Sequence, residues 1–205
     1  KECCEKAIEI DPNYAAAHNN LGVIFKKLGE NQKAKECYDK AIKIYPNHVS
    51  AHNNLGILFK ELGYLQKAKI CYEKAIEINP NDAMIYNNLG HIYKELGENL
   101  KAKDCFIKSI ETDSSIAMSY ANLGLIYNEL KDYKKAKIYF EKTIKVDPNH
   151  PYAHNHLLKS LYQLDDQSIL FKELDSITKE GKMNAVIGSI FSRAKIKNEF
   201  KKENP

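Results

Sequence analysis

Residues 83–116 read AMIYNNLGHIYKELGENLKAKDCFIKSIETDSSI, and the same wording recurs on both sides of them. It fills residues 15–48 and 49–82 before this stretch and 117–150 after it, so four complete copies of 34 residues stand in tandem. Pro12, Pro46, Pro80 and Pro148 fall in phase, with Ser114 in the missing slot, and Gly22, Gly56, Gly90 and Gly124 recur eight residues into each copy. Self-similarity at a fixed period reduces the folding of the chain to one unit and the rule by which units stack.

Each unit divides into two amphipathic helices. In the first copy Ala17, Leu21, Ile24, Phe25 and Leu28 keep helical spacing after the stop and cap residues Pro12 and Asn13, which predicts a helix A over 14–28. Gly29 then allows a turn, and Ala34, Tyr38, Ala41, Ile42 and Ile44 form the apolar face of a helix B that ends before Pro46. Gly22 and Ala34 let helix A approach helix B, Ala41 lets helix B meet the next helix A, and Phe25 and Tyr38 fill the gaps beside them. Pairs four apart on helix B, such as Glu36 with Lys40, Asp104 with Lys108 and Lys137 with Glu141, read as solvated surface.

Composition excludes several classes. No apolar run approaches the roughly 18 residues of a membrane span, and a formal charge of +4, dispersed among Lys/Glu-rich helices, is too small to imply nucleic acid. The expectation is a chain with no membrane and no nucleic-acid partner. Cys3, Cys37, Cys71 and Cys105 occupy one column, with Cys4 beside the first. Stacked helices lie about 8–10 Å apart, too far for a disulfide between equivalent positions, and no CxxC spacing occurs. The cysteines therefore read as small apolar fillers in a reducing compartment, which points to the cytoplasm.

The 34-residue period, the Leu-Gly pair, the aromatic three residues later, then Ala34, Tyr38, Ala41 and Pro46 together resemble the tetratricopeptide repeat (TPR). The match covers residues 1 to about 162, and the large Trp or Tyr at the fourth repeat position is replaced by His18, His52, Tyr86, Tyr120 and His154. The A-H-N-N-L-G wording is most similar to the superhelical arrays of O-linked N-acetylglucosamine transferases and their bacterial relatives. The resemblance implies an all-α solenoid, a right-handed superhelix of antiparallel helix pairs, with helix A lining a concave face.

The two ends depart from the repeat. The chain starts at Lys1, and residues 1–10 match only the last third of a unit, which predicts a piece of a longer protein. After His150, Leu158 stands in the glycine slot, Leu170 in the helix B alanine slot, and Asp165 and Asp166 where glycine would turn the chain. Residues 167–180 read as a degenerate helix B ending at Gly181. A final helix over about 184–200 carries Val186, Ile187, Ile190, Phe191 and Ala194 inward, and Arg193, Lys195, Lys197, Lys201 and Lys202 mostly outward. A divergent terminal unit is expected, because an array must cap its last apolar face. The wording N-A-V-I-G-S-I-F-S-R also resembles the segment that leads, in some bacterial proteins, into a 2-oxoglutarate and iron oxygenase-like domain, none of whose HxD and distal His ligands occurs here.

The expected division is a partial repeat over 1–14 with helix B only, repeats over 15–48, 49–82, 83–116 and 117–150, a degenerate repeat over 151–181, and a capping or junction helix over 182–205.

The repeats carry no catalytic signature. A histidine column at repeat spacing is too far apart to chelate one metal, and no Gly-rich phosphate loop, GxSxG elbow or paired-carboxylate signature appears. The expectation is no enzyme, no metal and no cofactor. What remains is a surface. In the family the two positions before the Leu-Gly pair face the groove, and here they hold Asn19 and Asn20, Asn53 and Asn54, Asn87 and Asn88, Ala121 and Asn122, Asn155 and His156. Asn in a helix interior costs up to about 0.7 kcal/mol relative to Ala, so something offsets it. Either the amides bond the backbone or the equivalent Asn of the next repeat, or they offer a donor and an acceptor to the main chain of an extended peptide.

Lys26, Lys60 and Lys94 form a second column, followed by Asn128 and Tyr162. They read either as helix-end cations favoured by the macrodipole or as a basic strip that prefers acidic peptides. The carboxylate clamp of chaperone-binding members does not match, since its Lys and Asn positions hold Asn19 and Val23. The resulting expectation is a non-enzymatic protein-interaction module for a protein or peptide ligand. Two alternatives stand beside it: the substrate-recruiting arm of a larger enzyme, glycosyltransferase or oxygenase-like, or a structural scaffold with weak self-association through its N-terminal edge.

Overall fold

The computed structural model describes residues 1–164, 167–179 and 187–195. All the secondary structure among them is helical, and no described helix is long and apolar enough to cross a membrane. The chain forms two compact units, residues 1–113 and 114–205. The first holds α1 (Glu2–Ile10), α2 (Ala15–Lys27), α3 (Asn31–Ile44), α4 (Val49–Glu61), α5 (Leu65–Ile78), α6 (Ala83–Glu95) and α7 (Asn99–Thr112). The second holds α8 (Ala117–Glu129), α9 (Tyr133–Val146), α10 (Ala153–Gln163), α11 (Gln167–Lys179) and α12 (187–195). Within each unit, successive antiparallel helix pairs stack on one another, the TPR solenoid arrangement. In the first unit α2 packs on α3, α4 on α5 and α6 on α7, while α3 touches α4, α5 touches α6, and α2, α4 and α6 meet along one face.

The hairpins interlock by size complementarity. A Cβ built on Gly56 would sit 2.8 Å from Cε1 of Tyr72, and one on Gly22 would sit 2.6 Å from Cε1 of Tyr38. Phe106 and Phe140 occupy the same place against Gly90 and Gly124. Ala34, Ala68, Ala102 and Ala136 beside these rings are completely buried. A second aromatic column, Phe25, Phe59, Tyr93 and Tyr127, is covered by the ammonium groups of Lys33, Lys67, Lys101 and Lys135 at 5.4, 5.6, 5.4 and 5.2 Å from the ring centroids.

The helix A of each full repeat closes in a Schellman turn. The N–H of Glu30 donates to Phe25 O at 2.9 Å and that of Gly29 to Lys26 O at 3.0 Å, with Gly29 left-handed at φ 77°. Tyr64 to Phe59 O, Glu98 to Tyr93 O and Asp132 to Tyr127 O repeat the bond, but Lys131 holds the left-handed position in the last of them at φ 60°. Helix starts vary more. Asp82 Oδ1 accepts from Met84 and Ile85, and Asp132 Oδ1 accepts from Lys135, whereas α2, α3 and α5 have no side-chain cap.

The terminal repeat keeps the packing by exchanging volumes. Leu158 fills the glycine slot while Leu174 replaces the facing aromatic, and Leu170 and Ile177 stand where alanines recur in the first two repeats. All four are buried to within 1%. Ile187, Ile190 and Ala194 of α12 complete this cluster, and Phe191 meets Phe171 edge-on at 6.3 Å. The expected inward residues thus pack as anticipated, while Val186, Asp165, Asp166, Gly181, Lys197, Lys201 and Lys202 lie outside the described residues.

Candidate protein-interaction surface

The asparagine column forms bonds between neighbouring repeats. Asn54 Nδ2 donates to Asn19 Oδ1 at 3.0 Å, and Asn88 Nδ2 donates to Asn53 Oδ1 at 3.2 Å. Each bond spans 35 residues, one repeat plus one residue, so the second Asn of a pair reaches back to the first Asn of the preceding repeat. Asn19 Nδ2 also lies 3.4 Å from Asn20 Oδ1. Burial separates the roles: Asn19, Asn87 and Asn122 are buried, Asn53, Asn54 and Asn88 half-buried, and Asn20 exposed. The half-buried Asn54 and Asn88 keep part of their hydrogen-bonding capacity open to solvent in an orientation set by the neighbouring repeat, while the exposed Asn20 meets Asn19 of its own repeat.

The lysine column obeys the same 35-residue offset. Lys26 Nζ lies 2.6 Å from Glu61 Oε1, and Lys60 Nζ lies 4.0 Å from Glu95 Oε1. Lys94 is half-buried on the same face. Between the columns His91 is edge-on to Phe106 at 5.7 Å, and burial, aided by Lys60 and Lys94, lowers its pKa to about 4. It is therefore neutral at physiological pH. The sequence reading of the Lys column does not register this pairing, though Glu61, Glu95 and Glu129 recur at one period plus one residue from Lys26, Lys60 and Lys94.

The other singled-out groups serve the frame. The column histidines fasten helix A to the loop before it: Nε2 of His18, His52 and His154 donates to the carbonyls of Pro12, Pro46 and Pro148 at 2.9, 2.8 and 3.3 Å. His48 Nδ1 accepts from Ala51 N, capping α4. His156 stacks on Phe140 at 5.3 Å, and His150 is buried. The cysteines are free thiols. Burial raises Cys71 to about 11 and Cys105 to about 12, which leaves both protonated and unreactive at neutral pH.

The second unit carries a recess that the repeat columns do not announce. It is a cleft of about 610 Å³ bounded by the ends of α8 and α10, the start of α9, and α12.

Comparison with known proteins agrees with this geometry. Tetratricopeptide repeat family models match residues 15–48 and 117–150, 49–82, and 71–104. No curated protein matches the chain. Among solved structures, PilF of Pseudomonas aeruginosa is 24% identical with a TM-score of 0.77, covering 92% of this chain and 86% of its own. YrrB, described as a TPR protein with an unusual peptide-binding site, is 17% identical with a TM-score of 0.74, covering 92% and 97%. MamA is 24% identical with a TM-score of 0.73, covering 83% and 95%. At these identities the likeness is one of fold. With the interlocked Gly–aromatic columns, the 34-residue helix spacing and the repeat matches together, the chain belongs to the tetratricopeptide repeat family, whose fold is typically a non-catalytic protein-interaction scaffold.

Proposed function

We propose that the chain is a non-enzymatic interaction module that holds an extended peptide, or an extended segment of a partner protein, along the face where α2, α4 and α6 meet. The observation that carries this reading is the orientation of the amides: Asn54 and Asn88 are each tethered to the preceding repeat by one donor, at 3.0 and 3.2 Å, and retain an acceptor and a second donor. A group held in place before binding loses less entropy on binding. The structural and the ligand-binding offsets for helical asparagine are compatible, with Asn19 and Asn53 as anchors and Asn20, Asn54 and Asn88 as ligand groups. Asn87 is buried beside Asn88 on α6, and Asn122 holds the equivalent of Asn88 on α8 of the second unit. A peptide carboxylate would compete with Glu61 and Glu95 for Lys26 and Lys60, so selection for acidic ligands along this face is modest. The likeness to a protein described by its peptide-binding site supports the same class of ligand. The cytoplasm is the compartment in which the free thiols would persist.

The test is selection of peptides from a random display library on the immobilised chain, followed by NMR titration with a selected sequence. The side-chain amide signals of Asn20, Asn54 and Asn88 should move. Replacing those three by Ala should weaken binding at least about tenfold, since each net hydrogen bond contributes about 0.5–1.5 kcal/mol. Perturbations confined to the outer faces of α3, α5 and α7, or unchanged affinity of the triple variant, would overturn the reading.

A further inference from the structure

We propose that the cleft among α8, α9, α10 and α12 is a separate subsite for a carboxylate that follows a large apolar residue in a peptide. It deepens the interaction-module reading and rests on it for the class of ligand.

The first observation is charge. Lys159 and Arg193 both line the cleft, are exposed, and have no ion pair or hydrogen bond among the described residues. No described lining residue is acidic. In the earlier repeats the lysine column is paired across repeats, as Lys26–Glu61 and Lys60–Glu95 show. At this repeat the two slots of that pair hold Asn128 and Gln163, and both line the cleft. The internal carboxylate that occupies the cation in earlier repeats is thus absent from the slot. Lys159 is itself a departure, because the equivalent positions are Val23, Ile57, His91 and Leu125. The terminal repeat has lost an acid and gained a base at the same place.

The second observation is shape and donor chemistry. Tyr133, Tyr162 and Ile190 give the cleft apolar walls, and about 610 Å³ suits one large side chain with its neighbouring carboxylate. Asn128 has its side-chain oxygen engaged by the Ser160 hydroxyl at 3.0 Å, which leaves its Nδ2 donors for a ligand. The cleft therefore presents two cations and an amide donor beside a half-apolar wall. A carboxylate accepts from all three, and charge-assisted bonds of this kind are about twice as strong as neutral ones. Such a carboxylate is either an Asp or Glu side chain or a chain terminus.

The experiment uses the isotope-labelled 205-residue chain and four short probes, acetyl-Gly-Ser-Phe-Glu-Gly-amide, its Gln counterpart, acetyl-Gly-Ser-Phe with a free C-terminal carboxylate, and the same peptide as its amide. The expected result is shifts at Lys159, Tyr162 and Arg193, with about tenfold tighter binding of at least one anionic probe than of its neutral partner. Whichever pair discriminates tells side chain from chain terminus. Lys159→Leu and Arg193→Gln, both at exposed positions, should each remove most of the discrimination. Equal binding within both pairs, or shifts away from the cleft, overturns the proposal, and the neutral probes give that answer without any variant. Selected peptides that still bind at Asn20, Asn54 and Asn88 while the probes fail to discriminate overturn the cleft alone. Discriminating probes with no peptide bound along α2, α4 and α6 overturn the asparagine face and leave the cleft standing.

Discussion

Gly56 shows how one residue fixes the packing of a whole hairpin. The nearest atoms to a Cβ there are Cε1, Cδ1 and Cζ of Tyr72, at 2.8, 3.0 and 3.0 Å, and the ring is completely buried, with no free volume into which to move. Ala raises helix propensity by about 1 kcal/mol relative to Gly, whereas overpacking a filled core costs about 1–3 kcal/mol. Gly56→Ala should therefore lower stability by up to about 2 kcal/mol, read as a lower urea midpoint, and an unchanged or higher midpoint would mean the ring yields. This much was legible from the sequence, since small and large residues alternate in fixed columns. The fate of the Tyr72 hydroxyl was not. It is buried without a partner among the described residues, as is that of Tyr38, and the Phe at 106 and 140 shows that the slot needs only the ring.

At the scale of the element, the helix A termini rank themselves by one residue. Gly29, Gly63 and Gly97 hold the left-handed turn at φ 77°, 78° and 78°, and the fourth turn keeps the same hydrogen bonds with Lys131 at φ 60°. A residue with a Cβ in that conformation costs on the order of 1 kcal/mol, so Lys131→Gly should raise stability by about 0.5–1 kcal/mol, and a melting curve shifted downward would contradict it. Helix order and type were readable because Pro, Gly and the apolar spacing all repeat in phase. The pairings across repeats were less so. An Asn or Lys column states what recurs, but the 35-residue offset of Asn54 to Asn19 and of Lys26 to Glu61 depends on how far one helix A is rotated against the next. The cleft was illegible for a related reason: it is made by departures from the repeat, Lys159 and Gln163, brought beside α12 by packing rather than by period.

At the scale of the whole molecule, the weak point of the first unit is its leading helix. None of the residues of α1 is buried, and Ile10 is 86% exposed, while Ala7 and Ile8 are only half-covered by the stack that α2 begins. An array adds units by covering such a face, so a second chain has a surface to occupy. A contact between two such edges would bury Ile10 from both chains, about 3–6 kcal/mol, with part of Ala7 and Ile8 on each side, against a cost of about 4 kcal/mol or more for joining two bodies, so association is weak, at best near the millimolar range. Sedimentation of the 205-residue chain should show a weight-average mass that rises as its concentration approaches about 1 mM. Ile10→Lys, at an exposed position, should abolish the rise without lowering the melting temperature, because a charge would then have to be desolvated in the contact. A chain that remains monomeric throughout, or a variant that associates as the parent does, would show that α1 is not the contact surface.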